Sequence, residues 1–594
     1  MKTFSYTDVD LTSGYLFDKQ NLNRTTSIHA VYDRFYETGR IGAFNFDYKE
    51  GDAVKPHIFW DSDVAKWIEG ACYILKKHSD PALLQKVEAR VENIKKHQSE
   101  AGYFNIYFTV CEPDKRFSDR VRHELYCAGH LMEASVAYSE ATGRDDFLAC
   151  MEKYADHIEK VFVIDRSAAF ISSGHEEIEI ALLRMYVHTG KKKFLRLAEH
   201  FINVRGTEGD AKNVYDQSHM PVREQAEAVG HAVRAVYLYT AMARLAHHTG
   251  DSDLLTACRR LWDNIVKEKM YITGGVGSTI IGESFSVAYD LPNDTAYTET
   301  CAGIGLMFFA NAMLELENDA RYADIAERAL YNGVLSALSL SGDRFFYENP
   351  LEINLLEHAE MEHGKRRFTL TERFKQFGCA CCPPNMNRLL ASLGNYIYGK
   401  EDGTLFVNQY ASSVLHSGNI YAEMTTEYPM KGTVSIHARG VGKIALRIPS
   451  FCEKFTLNKP YRMENGYAVV ENSEDEVIID FALSVKAIYA DPRVFRDADK
   501  IAFMRGPIVY CAEGKDNPYP LHSYKVSPCA SASENYNEAY GLTELTLSAK
   551  RTLPFEGELY SSQPPREEET SLHLIPYSCF ANRGESDMLV WLHS

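Results

Sequence analysis

The segment GCACCPPNMNR brings Cys379, Cys381 and Cys382 together, directly before Pro383 and Pro384. Adjacent cysteines are poorly placed to bridge each other. A sharp backbone turn, which the two prolines favour, would let their side chains ligate one soft cation. Upstream, TETCAGIGL carries Glu299 and Cys301. Two C-x-x-C pairs would be a strong zinc signature; this arrangement departs from it, so its spacing also fits a few buried cysteines beside a loop. If Glu299, Cys301, Cys381 and Cys382 share a zinc, four protein ligands close the site, and a closed site is ordinarily structural. A metal-bound thiolate is still deprotonated at neutral pH and can act as a nucleophile, provided a general acid stands nearby.

The preceding stretch, GESFSVAYDLPNDTAYTET, supplies Glu283, Asp290, Asp294 and Glu299. Asp290 and Asp294 flank Pro and Asn, so turn formation is their expected role. Glu283 follows GGVGSTIIG, a glycine-rich loop without the Gly-Lys-Ser/Thr of a phosphate cradle. A carboxyl on such a loop beside a cleft can serve as acid and base. His123, His175 and His231 stand at the starts of three successive helical units. One such histidine caps or packs; three in equivalent places point to a shared polar pocket, where imidazoles can donate to and accept from sugar hydroxyls. Most of the 36 tyrosines, and Trp60 and Trp67, are expected in the core.

The elements that must hold these groups change character near residue 400. Before it, segments such as HELYCAGHLMEASVAYSEATG and GHAVRAVYLYTAMARLAHHTG have apolar residues at helical spacing and end in Thr-Gly. Turns near Ser79-Asp80, Thr142-Gly143, Thr189-Gly190, Thr249-Gly250 and Asn318-Asp319 divide the region into recurring helical hairpins. Such units stack as an open solenoid or close into a ring. The clustering of polar residues at the starts of several helices favours the ring. After residue 400, TLFVNQY, GTVSIHARG, KIALRIPS and EVIIDFAL alternate apolar and polar residues between turns, which predicts one or two β-sandwiches. Residues 530–570 are polar and weakly patterned.

Composition narrows the function classes. The 594 residues exceed one compact core, and 45% hydrophobic with 25% charged content is ordinary for a soluble protein. A net charge of −18 argues against a nucleic-acid partner. No run approaches the ~18 apolar residues of a membrane span, and MKTFSYTDVD lacks a secretory core. The expectation is therefore a cytoplasmic protein. Its 13 scattered cysteines do not read as a disulfide framework.

The motifs DSDVAKWIEG, HELYCAGH, GHEEIEIAL, QAEAVGHAVRAVYL, LPNDTAYTETCA and FGCACCPPN resemble those of glycoside hydrolase family 127, best known for β-L-arabinofuranosidases. The likeness continues into RGPIVYCAEG and LIPYSCFANRGESDMLVWL, and so spans nearly the whole chain. It implies an (α/α)6 barrel over residues 1–400 followed by two β-sandwiches, 401–505 (joined by the terminal strand 584–594) and 506–583. It implies one zinc per chain on Glu299, Cys301, Cys381 and Cys382, with Cys381 as nucleophile and Glu283 as acid/base. It places His123, His175, His231, Glu327 and Tyr347 as sugar contacts.

The expected reaction is then a retaining, exo-acting hydrolysis that releases β-L-arabinofuranose from short oligosaccharides or glycoconjugates. Glu299 is a ligand in this reading; a carboxylate nucleophile there is the rival mechanism. Other readings are the same chemistry on another furanoside or deoxy-sugar, a barrel-type sugar epimerase or lyase, and a non-catalytic sugar-binding protein. The expected partner is a small carbohydrate, with a homodimer possible for the β-rich regions to build.

Overall fold

The structure is a computed structural model that describes residues 1–594 except 360–368, 376, 473 and 558. Six of the described helices carry the functional segments: Trp60–Lys77, Glu124–Thr142, Ile178–Thr189, Ala232–Thr249, Thr300–Glu317 and Cys382–Ala391. Each packs on the next in that order, and Cys382–Ala391 packs back on Trp60–Lys77, so the contacts run in a closed circuit. A second helix backs each of the first five: Pro81–His97, Asp146–Glu159, Lys192–Val204, Ser252–Asn264 and Ala320–Ala329. Ile28–Glu37 lies against both Trp60–Lys77 and Cys382–Ala391.

The two layers differ in sequence for a physical reason. Lys192–Val204 buries Phe194, Leu197, Ala198, Phe201 and Ile202, one stripe at helical spacing with a charged opposite face. In Glu124–Thr142, every residue from Glu124 to Ser139 is buried, because this helix is packed on all sides. Gly129 in it leaves no room for a side chain: a Cβ would stand 2.7 Å from the Glu177 side chain. The hairpin turns fall where the sequence marked them. Gly143, Gly190 and Gly250 each take a left-handed φ near 70° (70°, 70° and 72°) as C-caps. Asp80 and Asp319 cap the helices that follow.

Among the described residues, the β-rich part forms two six-stranded sheets and a ten-stranded one. The N-terminal strands belong to the first two: Lys2–Thr3 pairs with Tyr398–Glu401, and Val9–Leu11 with Ser413–Ser417. This departs from an all-helical 1–400 segment. The division between the β-rich units also departs from the expected one at 505. Val485–Ile488 and Lys500–Arg505 pair with each other inside the ten-stranded sheet. The terminal strands Met588–Leu589 and Leu592–His593 join that same sheet through Ile508–Glu513 and Lys500–Arg505, not the sheets before it. Pairing, rather than the alternation along each strand, decides which sheet a strand enters, and alternation alone carries no such information. Glu352–Ile353, from the helical part, forms an edge of this sheet. Among the described residues no helix is long and apolar enough to cross a membrane.

Candidate active site

The polar residues singled out from the sequence gather at one end of the helix circuit, because each sits at the start of an inner helix. His123 precedes Glu124–Thr142, His231 caps Ala232–Thr249, Glu299 precedes Thr300–Glu317 and Cys381 precedes Cys382–Ala391. Helix N-termini present unpaired N–H groups and a partial positive charge, which favours anions there. Pro383 in the first turn of Cys382–Ala391 needs no N–H partner and presets the helical φ.

Glu299, Cys301, Cys381 and Cys382 close into a compact cluster. Cys301 Sγ lies 3.3 Å from Cys382 Sγ and 3.7 Å from Cys381 Sγ, and the latter two are 3.7 Å apart. Glu299 Oε1 is 3.5 Å from Cys381 Sγ and 3.6 Å from Cys382 Sγ. All four ligand atoms fall within 4.8 Å of one another, a donor set able to hold a metal ion. Burial alone disfavours ionisation of Cys301, but the Cys381 and Cys382 thiols hydrogen-bond to it and bring its pKa down to about 6. Burial, and then the charge of Cys381, push the Glu299 carboxyl well above the usual range. Without a cation, the cluster shares protons among donors that cannot all ionise. Cys379 stays outside it; its thiol lies 3.8 Å from the Tyr347 hydroxyl.

Glu283 lies across from this cluster on the loop that follows the glycine-rich segment. Its own φ is 52° and that of Gly282 is 68°. The carboxylate is held on both oxygens: His231 Nε2 is 2.7 Å from Oε2, and the Tyr297 hydroxyl donates to Oε1 at 2.5 Å. Burial raises the Glu283 pKa, but the hydrogen bonds from His231 and Tyr297 outweigh it and leave the group at about 2. His231, Glu283 and Glu299 have ligand atoms within 4.8 Å of one another, so the acid and the cysteine cluster share one pocket.

His123, His175 and His231 line the same space. The His175 ring centroid is 5.9 Å from that of His123 and 5.7 Å from that of His231, and 4.2 Å from Tyr126. Burial, with the Arg234 charge second, lowers the His123 pKa to about 3 and that of His175 well below normal. The rings are therefore neutral hydrogen-bonding groups. The Tyr347 hydroxyl is 3.4 Å from Cys381 Sγ.

Glu327 is not part of this assembly. Its carboxylate is 2.6 Å from Arg447 Nη2 and accepts from the Tyr428 hydroxyl at 2.8 Å, both on the β-rich side of the molecule. It is 2% exposed, so a sugar contact from it is corrected to an ion pair that fastens the Ala320–Ala329 helix to the first β-rich unit. Tyr297 is the functional residue that the sequence reading passed over; its place two residues before Glu299, in TAYTET, was the available signal.

Residues 8–395 match the family model described as β-L-arabinofuranosidase, GH127 catalytic domain. The chain belongs to glycoside hydrolase family 127. Residues 485–593 match the C-terminal domain of the same family, in agreement with the β-unit boundary set by strand pairing. A non-reducing end β-L-arabinofuranosidase of Bifidobacterium longum subsp. longum is 36% identical over 589 residues, covering 90% of this chain and 89% of that one. A GH127 β-L-arabinofuranosidase from Geobacillus stearothermophilus T6 superposes with a TM-score of 0.93 at 40% identity, covering 98% of this chain and 99% of that one. A second GH127 β-arabinofuranosidase reaches 0.90 at 33% identity, covering 100% and 97%. This family 127 member is thus a glycoside hydrolase, acting on a carbohydrate.

Proposed function

We propose that this enzyme is a retaining, non-reducing-end β-L-arabinofuranosidase in which Cys381 is the nucleophile and Glu283 the acid/base. The observation that carries the reading is the geometry of the Glu299, Cys301, Cys381 and Cys382 cluster, with Glu283 facing it. A tetrahedral zinc with Zn–S of about 2.3 Å and Zn–O of about 2.0 Å requires S···S edges of about 3.8 Å and S···O edges of about 3.5 Å. Two S···S edges of 3.7 Å and the S···O edges of 3.5 and 3.6 Å fit that ion, and the Cys301–Cys382 edge, at 3.3 Å, is shorter than it requires. Bound there, zinc would keep the Cys381 sulfur deprotonated at neutral pH and make it a better leaving group. We read the architecture around the site as an (α/α)6 barrel followed by two β-sandwiches. Thirteen free cysteines fit a reducing compartment, and we assign the enzyme to the cytoplasm, acting on short oligosaccharides.

In the first step, the Cys381 sulfur attacks the anomeric carbon while Glu283 gives its proton to the glycosidic oxygen. The C–O bond breaks and a thioglycosyl-enzyme forms. In the second step, Glu283, now ionised, takes a proton from water, whose oxygen displaces the sulfur. Two inversions retain the configuration. His231 and Tyr297 favour the ionised form needed in the second step. Burial of the carboxyl favours the protonated form needed in the first. His123 and His175, buried and neutral, are placed to bind sugar hydroxyls, and Tyr347 to meet the sugar next to the attacking sulfur.

Hydrolysis of p-nitrophenyl β-L-arabinofuranoside, with zinc measured on the same samples, tests the reading. The expected result is turnover with about one zinc per chain, and loss of turnover in Cys381→Ser and Glu283→Gln. Zinc without turnover would leave the site but remove the sugar; a panel of other furanosides and deoxy-sugars would then identify it.

A further inference from the structure

We propose that Arg234 is a positioning residue shared by two parts of the site: its guanidinium holds the backbone that presents His175 to the sugar, and it holds the Tyr215 ring that backs Gly282 and Glu283. This rests on the reading of His175 as a sugar contact and Glu283 as the acid/base.

Arg234 lies in the first turn of the Ala232–Thr249 helix, three residues after His231 and on the same side of it. It is 3% exposed. Its Nη1 donates to the carbonyl of Gly174, the residue before His175. The stretch that leads into His175 is neither helix nor strand, so its carbonyls need other partners. Guanidinium groups supply them. Arg205 Nη2 and Arg120 Nη2 donate to the Ser173 carbonyl at 2.8 and 3.1 Å. Those two are anchored by carboxylates, Arg205 by Glu176 and Arg120 by Asp210, each at 2.9 Å. Arg234 is the one of the three that comes from the helix capped by His231. It therefore fixes the His175 backbone relative to His231, whose ring lies 5.7 Å from that of His175.

The same guanidinium lies over the Tyr215 ring, 4.4 Å from its centroid. That ring meets His231 edge-on at 5.7 Å, and the Tyr215 carbonyl accepts from the His231 N–H at 3.0 Å. Tyr215 also closes off Gly282, where a Cβ would stand 3.2 Å from Tyr215 Cε2. Gly282 and Glu283 both take left-handed φ, 68° and 52°. A glutamate keeps that conformation where its surroundings impose it. Tyr215 is part of those surroundings, and Arg234 keeps Tyr215 in place.

The two duties are separable. Without the bond to Gly174, His175 loses its setting and sugar binding weakens. Without the stack on Tyr215, Glu283 loses its aim and proton delivery to the leaving group weakens. Lysine divides them, because an ammonium can still donate to the carbonyl but has no flat face to lay on the ring.

The test compares Arg234→Met, Arg234→Lys and Tyr215→Leu with the wild type on p-nitrophenyl and methyl β-L-arabinofuranoside, each enzyme at its own pH optimum. The methyl glycoside needs an acid to expel its oxygen, whereas p-nitrophenolate leaves with little help. Arg234→Met should raise KM about tenfold and lose at least about tenfold more kcat on the methyl than on the p-nitrophenyl substrate. Arg234→Lys should return KM toward wild type and keep the extra loss on the methyl substrate. Tyr215→Leu should show that extra loss at unchanged KM. A merely structural defect lowers the active fraction and cuts both substrates alike. Equal losses on the two would overturn the link to Glu283, and an unchanged KM in Arg234→Met would overturn the link to His175. Should Arg234→Met not fold, Arg234→Gln takes its place. Glu283→Gln sets the scale: if it too loses both substrates alike, the acid/base reading falls, and the link to His175 still stands or falls on KM.

Discussion

His231 is fixed to a single tautomer by its own helix, and Glu283 is the beneficiary. His231 Nδ1 accepts from the backbone N–H groups of Val233 and Arg234, at 3.2 and 3.4 Å, so it carries no proton. The proton sits on Nε2, which donates to Glu283 Oε2 across 2.7 Å. The imidazole therefore aims the carboxylate. In His231→Ala, kcat should fall by about a hundredfold, the scale at which loss of alignment acts, and KM should change far less. Steady-state kinetics on the arylglycoside check this. A rise in KM alone would make His231 a sugar contact and nothing more.

Tyr297 holds the other oxygen of Glu283. Its hydroxyl stabilises the ionised form, so removing it must raise the Glu283 pKa. The protonated acid then persists to higher pH, and the alkaline limb of kcat/KM should move upward in Tyr297→Phe. A hydrogen bond to a charged group is worth about 1.5–3 kcal/mol, or about one to two pH units. An alkaline limb that stays in place, or moves down, contradicts the assignment.

Glu327 and Arg447 join the helical part to the first β-rich unit. Arg447 is 0% exposed, and it also meets Asp324. Glu327→Ala should destabilise the enzyme by about 3–5 kcal/mol, because it leaves a buried guanidinium short of its partner. Thermal unfolding measures the loss, and KM of the surviving native enzyme should equal that of wild type. A stable variant with a raised KM would return Glu327 to the sugar site.

Chelation gives a separate handle on the cysteine cluster. Removing the metal should abolish turnover, and zinc should restore it. Cys382→Ser should retain far less zinc than wild type, since a hydroxyl is a poor replacement for a thiolate ligand. Metal analysis after dialysis decides it; full zinc content in Cys382→Ser would exclude that sulfur from the ligand set.

The helical hairpins were legible because Gly143, Gly190 and Gly250 mark their turns and the apolar spacing is regular. The cysteine cluster was half legible. GCACCPPN announced itself, but Cys301 stands far away in sequence, so the residues alone joined the two only conditionally, with a few buried cysteines as the other reading, until the family resemblance implied the full ligand set. Glu327 was misplaced because its partner, Arg447, comes from a strand beyond the helical part, and docking between units leaves no local pattern. Strands such as Lys2–Thr3 and Leu592–His593 are too short to alternate visibly, so the N-terminal pairing and the β-unit boundary emerged only from the ladder. Tyr297 was hidden by its neighbours, whose ligand chemistry drew the attention.

The central claim is that Cys381 carries the sugar, and trapping that species tests it most directly. In Glu283→Gln, an activated arylglycoside needs little help from an acid to leave, whereas water still needs a base. Rapid mixing should give a burst of p-nitrophenol, and mass spectrometry of the quenched protein should find one pentosyl group on the peptide containing Cys381. A pentosyl group on Glu299, or turnover in Glu283→Gln with no covalent adduct, would contradict the account.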